Sequence, residues 1–164
     1  MPKKDSLVIN TSPIISIISA TGSLLILKDM YSEIFVPFEV YSEIIASRKK
    51  YFAKKEFFEA KFLNVIKQHV EVNSHLKNSL DVGEASVIQT AINNKIPVVC
   101  LDETIGRRIA RLYDLNLTGS LGILLKYKKE YGDLSISMCI RNMKRNGIYL
   151  SDKLISLVLE IAGE

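Results

Sequence analysis

The chain has 164 residues, 48% of them hydrophobic, which is enough for one buried core and leaves little for a second, so a single domain over residues 1–164 is expected. A net charge of +4, from 22 Lys and Arg against 18 Asp and Glu, is compatible with a nucleic-acid partner without requiring one. The opening Met-Pro-Lys-Lys-Asp has no apolar signal core and no segment approaches the roughly 20 apolar residues of a membrane span, so a cytoplasmic protein with no membrane partner is expected.

In chain order, "LVIN" (residues 7–10) reads as a short buried strand ending in an amide, and "SPIISIISATG" as a helix capped by Ser12 with Pro13 in its first turn. "GSLLILKDMY" continues helically. "SEIFVP" predicts a second strand closed by Pro37, where "PFEVYSEIIASRKKYFAKKEFFEAKF" reopens as a helix with a break near Lys50. In "FLNVIKQHVEV" a strand is placed around residues 64–66, followed by an irregular tail. "SLDVGEASVIQTAINN" is a loop and then a helix with apolar Ala85, Val87, Ile88, Ala91 and Ile92, and "KIPVVCLDE" is a buried strand.

Next come a helix in "TIGRRIARLYDL", a strand and turn in "NLTGSLG", and a helix in "SLGILLKYKKEYG". The remainder divides into two helices at Asn146-Gly147, the second starting at Ser151 and Asp152. Short apolar strands alternating with helices, without hairpin signals, imply an α/β fold with a parallel sheet covered on both faces. That rhythm leaves the strand order open. Cys100 and Cys139 lie far apart in apolar segments and outside any CxxC pair, so they read as small buried residues in a reducing compartment.

In such a sheet, residues just past the C-terminal ends of the strands converge at one edge. Asn10 and Asp102 close two strands there, Glu84 opens the helix before the second of them, and Glu43 joins if its helix points its first turns to the same edge. Carboxylates gathered from separate segments are hard oxygen ligands suited to Mg²⁺ or Mn²⁺, and the chemistry implied is phosphodiester hydrolysis. Each acid also has a structural reading: Glu84 at the positive end of a helix dipole, Asp102 as a cap reached through Arg107, Glu43 as a surface acid near Ser47 and Arg48.

"VINTSPII", "VPFEVYSEI", "LDVGEASVIQTA", "VVCLDETIGRRIA" and "LTGSLGILL", in this order and at these intervals, resemble the PIN-domain family over residues 6–160. The resemblance implies a three-layer α/β/α sandwich around a parallel sheet and an acidic pocket that binds Mg²⁺ or Mn²⁺. It also implies single-strand-specific endoribonuclease activity in active members, often as the toxin of a toxin–antitoxin pair, and a homodimer. Position by position it assigns catalytic and metal-binding roles to Asn10, Glu43, Glu84 and Asp102. Asn10 departs from the pattern, because most active members have an aspartate there. An amide oxygen can ligate a hard cation but contributes no charge, so metal should be held more weakly, with Asp81 or Glu103 as sources of compensating charge.

Thr11 and Ser12 are candidates to orient water at the metal, Ser120 is either a helix cap or a minor site residue, and Arg107 and Arg108 are candidates to bind single-stranded RNA. The basic clusters at 48–50, at Arg107, Arg108 and Arg111, at 126–129 and at Arg141, Lys144 and Arg145 can equally be solvated helix faces. Phe52, Phe58 and Phe62 fit an apolar helix face or a base-stacking patch, with packing or a partner interface favoured, and His69 and His75 receive no role. The competing function is a PIN-fold module with a weakened pocket that holds RNA or a protein partner without cutting it.

Overall fold

The computed structural model describes residues 3–48 and 51–164. Five three-residue strands, β1 (Leu7–Ile9), β2 (Ile34–Val36), β3 (Leu63–Val65), β4 (Val98–Cys100) and β5 (Asn116–Thr118), form an all-parallel sheet in the order β3-β2-β1-β4-β5. Burial follows that order. Every residue of β1 and β4 is buried, whereas the edge strands β3 and β5 are only partly covered. This is the reason "LVI" and "VVC" read as unbroken apolar runs, since a central parallel strand is covered on both faces.

The helices are α1 (Thr11–Thr21), α2 (Leu25–Met30), α3 (Phe38–Ala46), α4 (Tyr51–Glu59), α5 (Ser74–Ser79), α6 (Val82–Asn94), α7 (Thr104–Leu112), α8 (Ser120–Tyr131), α9 (Ile136–Arg145) and α10 (Asp152–Ala162). They flank the sheet in a three-layer α/β/α arrangement. α6 packs directly on β1 and β4 and beside α3 and α5, while α1 packs against α8 and α9. α1 is buried from Pro13 to Ala20 and its last turn is tied to α9 by Asn142 Nδ2, which donates to Ala20 O at 3.1 Å. Both cysteines are buried and unpaired. Among the described residues, no helix is long and apolar enough to cross a membrane.

Several boundaries differ from the sequence expectation. β1 stops at Ile9 and the backbone turns helical at Thr11, so Asn10 rather than Ser12 occupies the N-cap position of α1. The apolar run from Gly22 onward is not one helix: Gly22 adopts a left-handed φ of 83°, which ends α1 before α2 begins. α3 ends at Ala46 and α4 begins at Tyr51, while Lys49 and Lys50, where the break was expected, lie outside the described residues. The irregular tail after β3 holds a short helix, α5, whose N-cap Asn73 accepts from Leu76 N at 2.9 Å. On α4 the packed residues are Ala53 and Phe57. Phe52 and Phe58 are exposed, so the packing alternative fails for these two, while Phe62, beyond the end of α4, is partly buried against the core.

Candidate active site

The site begins with the strand order. β1 connects toward β2 and β3 on one side, and β4 and β5 lie on the other, so the chain reverses direction between β1 and β4. Neighbouring connections leave that point in opposite directions and open a crevice at the C-terminal ends of the two strands. Asn10 follows β1 there and donates its N–H to Cys100 O at 3.1 Å. The N-terminal ends of α1, α6 and α7 border the resulting cleft, a hollow of about 400 Å³ lined by Asn10, Ser12, Glu43, Asp81, Glu84, Glu103, Thr104 and Ile105.

Four side chains give the cleft its chemistry. Asn10 is 5% exposed and Glu84 is 6% exposed, and among the described residues Asn10 Oδ1 and Glu84 Oε1 are buried acceptors without a hydrogen-bond partner. Asparagine is among the best helix caps, yet Asn10 makes no side-chain cap bond and leaves its amide oxygen unspent. Glu43, on the outer rim, accepts at Oε2 from the Thr11 hydroxyl at 2.9 Å. Asp81 caps α6 by accepting from Glu84 N at 2.8 Å and lines the same cleft.

Gly83 explains how these oxygens approach one another. A Cβ at that position would lie 2.9 Å from Glu43 Oε2, 3.1 Å from Asn10 Oδ1 and 3.5 Å from Asp81 Oδ1, so three oxygens face the space that a side chain would take. Gly106 does the same for Glu84, whose Oε1 would lie 2.8 Å from an added Cβ. Burial raises the Glu84 carboxyl from its ordinary 4.5 to about 7, and the nearby Asp81 and Glu103 carboxylates push it the same way.

Asp102 stands apart from this group. Its Oδ1 accepts from Ser120 N at 2.8 Å and its Oδ2 from Ser120 Oγ at 3.0 Å, and it lines the adjoining groove with Arg107, Thr118 and Gly119. Burial raises its carboxyl, while the Ser120 hydrogen bonds and the Arg107 charge pull it back down. Arg107 Nη1 donates to Leu101 O at 2.9 Å, which holds the guanidinium beside Gly119 and Asp102. Gly119, not Ser120, is the N-cap of α8. Arg108 is exposed on α7, outside the cleft lining.

The structure therefore brings Asn10, Glu43 and Glu84 together with Asp81, Glu103, Thr11 and Ser12, and places Asp102, Arg107 and Ser120 in the neighbouring groove. Among the described residues, no three acidic, imidazole or thiol side chains stand close enough to hold a metal ion by themselves. The two unpartnered acceptors and the oxygens converging over Gly83 nevertheless fit a hard cation, which takes neutral and anionic oxygens together. Gly83 and Gly106 are absent from the sequence-level site. Their signal is a glycine in the first turn of each of two helices, where glycine is unfavourable unless something must come close.

A family model described as PIN domain matches residues 6–164. The chain belongs to the PIN-domain family. Five parallel strands with flanking helices agree with a PIN-like fold, and PIN domains are generally nucleases. No curated protein matches the chain.

Proposed function

We propose that this PIN domain is a divalent-cation-dependent endoribonuclease that hydrolyses single-stranded RNA in the cleft between β1 and β4. The observation that carries the reading is the pair of buried, unpartnered acceptors, Asn10 Oδ1 and Glu84 Oε1, in an acidic cleft at the sheet's reversal point. Leaving such atoms unpaired costs about 1–3 kcal/mol each, and an ion that binds there removes that cost.

In this reading Asn10, Glu43 and Glu84 hold Mg²⁺ or Mn²⁺, and Asp81 and Asp102 add negative charge from either side. The cation would supply Lewis-acid neutralisation of the scissile phosphate and a lowered pKa for the attacking water. Thr11 fixes the Glu43 carboxylate through its hydrogen bond. Ser12 lies on the wall that the cleft shares with the groove, where its hydroxyl can meet water or phosphate. The N-terminal ends of α1 and α7 favour the phosphate's negative charge, and Arg107 and Arg108 extend the positive field along α7. A role as a toxin with an antitoxin partner, and as a homodimer, belongs to the same reading and is supported by family membership and the exposed apolar residues of α4 and α10.

Cleavage of single-stranded RNA by purified protein, with Mn²⁺ or Mg²⁺ and then with a chelator, tests the reading beside Glu84→Gln. Metal-dependent cleavage that falls to background in the variant supports it. Equal cleavage by native and variant protein shows a contaminating ribonuclease and removes the support.

One feature favours a second reading, an RNA- or protein-binding module that does not cut. The amide at Asn10 offers an oxygen without a charge, and cation affinity follows ligand charge. RNA that binds in Mn²⁺ and is recovered intact would select that reading.

A further inference from the structure

We propose that the groove beside the acidic cleft is a nucleobase slot, which takes the base of the nucleotide adjoining the phosphate held in the cleft. The proposal rests on the nucleolytic reading for its neighbour, but its test does not depend on cleavage. The groove has a volume of about 880 Å³, within the roughly 300–1,000 Å³ typical of small-molecule sites. It shares Ser12, Glu103 and Thr104 with the cleft, so the two hollows adjoin and neighbouring nucleotides of one strand can occupy them.

Its lining combines the two characters a base requires: polar Asp102, Arg107, Thr118 and Ser120, and apolar Leu121, Leu125, Leu150, Leu154 and Val158. An unstacked base has two apolar faces and a hydrogen-bonding edge, and single-stranded RNA is read by stacking the first and bonding the second. Tyr149 also lines the groove and is 87% exposed, so its ring is open to solvent. It sits on an ordered turn. Gly147 reverses the chain at a φ of 78°, Ile148 N donates to Met143 O at 3.0 Å, and Ser151 caps α10 by accepting from Leu154 N at 3.2 Å. A large ring held open to solvent on a fixed turn is a stacking platform in want of a partner.

The charge of the lining is mixed, with Asp102 and Glu103 beside Arg107. The excess positive charge lies outside it, where Lys144 and Arg145 occupy the last turn of α9 before Gly147 and can meet the phosphates that flank a bound base. The other hollow that adjoins the cleft, about 370 Å³ and lined by Thr11, Ser12, Ile15, Glu43, Ala46 and Ser47, has neither an aromatic ring nor a cation among the described residues.

The test is binding of a fluorescent oligouridylate in chelator, compared with the same oligomer made abasic at all but its end nucleotides. Tyr149→Ala removes the ring, and Leu154→Trp narrows the slot from a position that is 38% exposed, so both variants should fold, as a thermal melt will check. The intact oligomer should bind native protein about tenfold more tightly than the abasic one, and each variant should lose most of that tenfold while binding the abasic oligomer as native protein does. Equal affinity for intact and abasic oligomers, no measurable RNA binding, or variants that weaken both oligomers alike would overturn the proposal. A shift of oligomeric state in Tyr149→Ala and Leu154→Trp without any change in RNA affinity would assign the groove to a protein contact instead. If base-dependent binding holds but no RNA is ever cut, the slot stands and the nucleolytic reading falls.

Discussion

At the scale of single residues, Asn10, Gly83 and Glu84 bear the account. Gly83→Ala adds a methyl group where Glu43 Oε2 and Asn10 Oδ1 now converge, at 2.9 and 3.1 Å. The far end of the Glu43 side chain can swing away, and alanine favours the helix over glycine by about 1 kcal/mol, so the fold should be kept or slightly strengthened. The cation site should not be. We predict a melting temperature at or above that of native protein in chelator, with the increase on adding Mn²⁺ abolished; an undiminished Mn²⁺ shift would contradict the placement of the site.

Glu84 gives a second prediction at this scale. Its carboxyl ionises near 4.5 when unfolded and near 7 when folded, so between those values the unfolded chain has released a proton that the folded protein retains. In cation-free buffer, stability should therefore fall as pH rises from about 4.5 to 7 and level off above. Glu84→Gln removes that fall, and its advantage over native protein should widen across the window to on the order of 2 kcal/mol, a value discounted for solvent in the open cleft. Denaturant melts at a series of pH values measure this directly. Asp102 and Glu84 were candidates in sequence because one follows a strand and the other begins a helix, whereas Glu43, in the second turn of α3, was a candidate only through the direction of its helix. The glycines that let them converge were not, since an empty volume has no residue of its own.

At the scale of elements, the caps and the docking of α10 decide how firmly the groove is built. Glu164 reaches back to the start of α9, accepting from Lys128 Nζ at 2.8 Å, Ser135 Oγ at 3.0 Å and Ser137 Oγ at 2.9 Å, with Ile136 N at 2.6 Å. The Lys128 hydrogen bond first, and the Ile136, Ser137 and Ser135 bonds with it, lower its carboxyl from 4.5 to about 2. A lowered acid contributes stability that is complete above its unfolded value and is lost as pH falls through the folded one. Glu164→Gln should thus lower stability at neutral pH, and the difference from native protein should vanish between about pH 4.5 and 2. Hydrogen exchange should show α10 opening first in the variant; unchanged protection there would contradict the latch. The division into two final helices was readable from Asn146-Gly147 and the Ser151 cap, both local signals. This long-range latch has no local signature, and neither did the helix start at Thr11, which depends on where β1 stops pairing.

At the scale of the whole molecule, the alternation of buried strands and helices was enough for the fold class, because a parallel sheet covered on both faces writes itself as short apolar runs. The order β3-β2-β1-β4-β5 was not, since each run is equally apolar whichever neighbour it pairs with. That order is what places Asn10 and Asp102 just past the ends of adjacent strands, and the direction of the Asp102 side chain toward Ser120 then sends it to the groove rather than the cleft. Charge acts at this scale too. With a net charge of +4 and Arg108 exposed on α7, the logarithm of RNA affinity should fall linearly with the logarithm of salt concentration, and Arg108→Ala should reduce that slope by about 0.7 if the side chain meets one phosphate. An unchanged slope would take Arg108 out of the RNA path.

The most direct measurement of the central claim is the rate of single-stranded RNA cleavage as a function of Mn²⁺ concentration for native protein, Glu84→Gln and Asn10→Asp. Native protein should cleave, Glu84→Gln should not, and the added charge of Asn10→Asp should lower the half-maximal Mn²⁺ concentration by about tenfold. Native protein that cleaves no faster than Glu84→Gln, while Asn10→Asp is active, would contradict the account and show a pocket that holds RNA without cutting it.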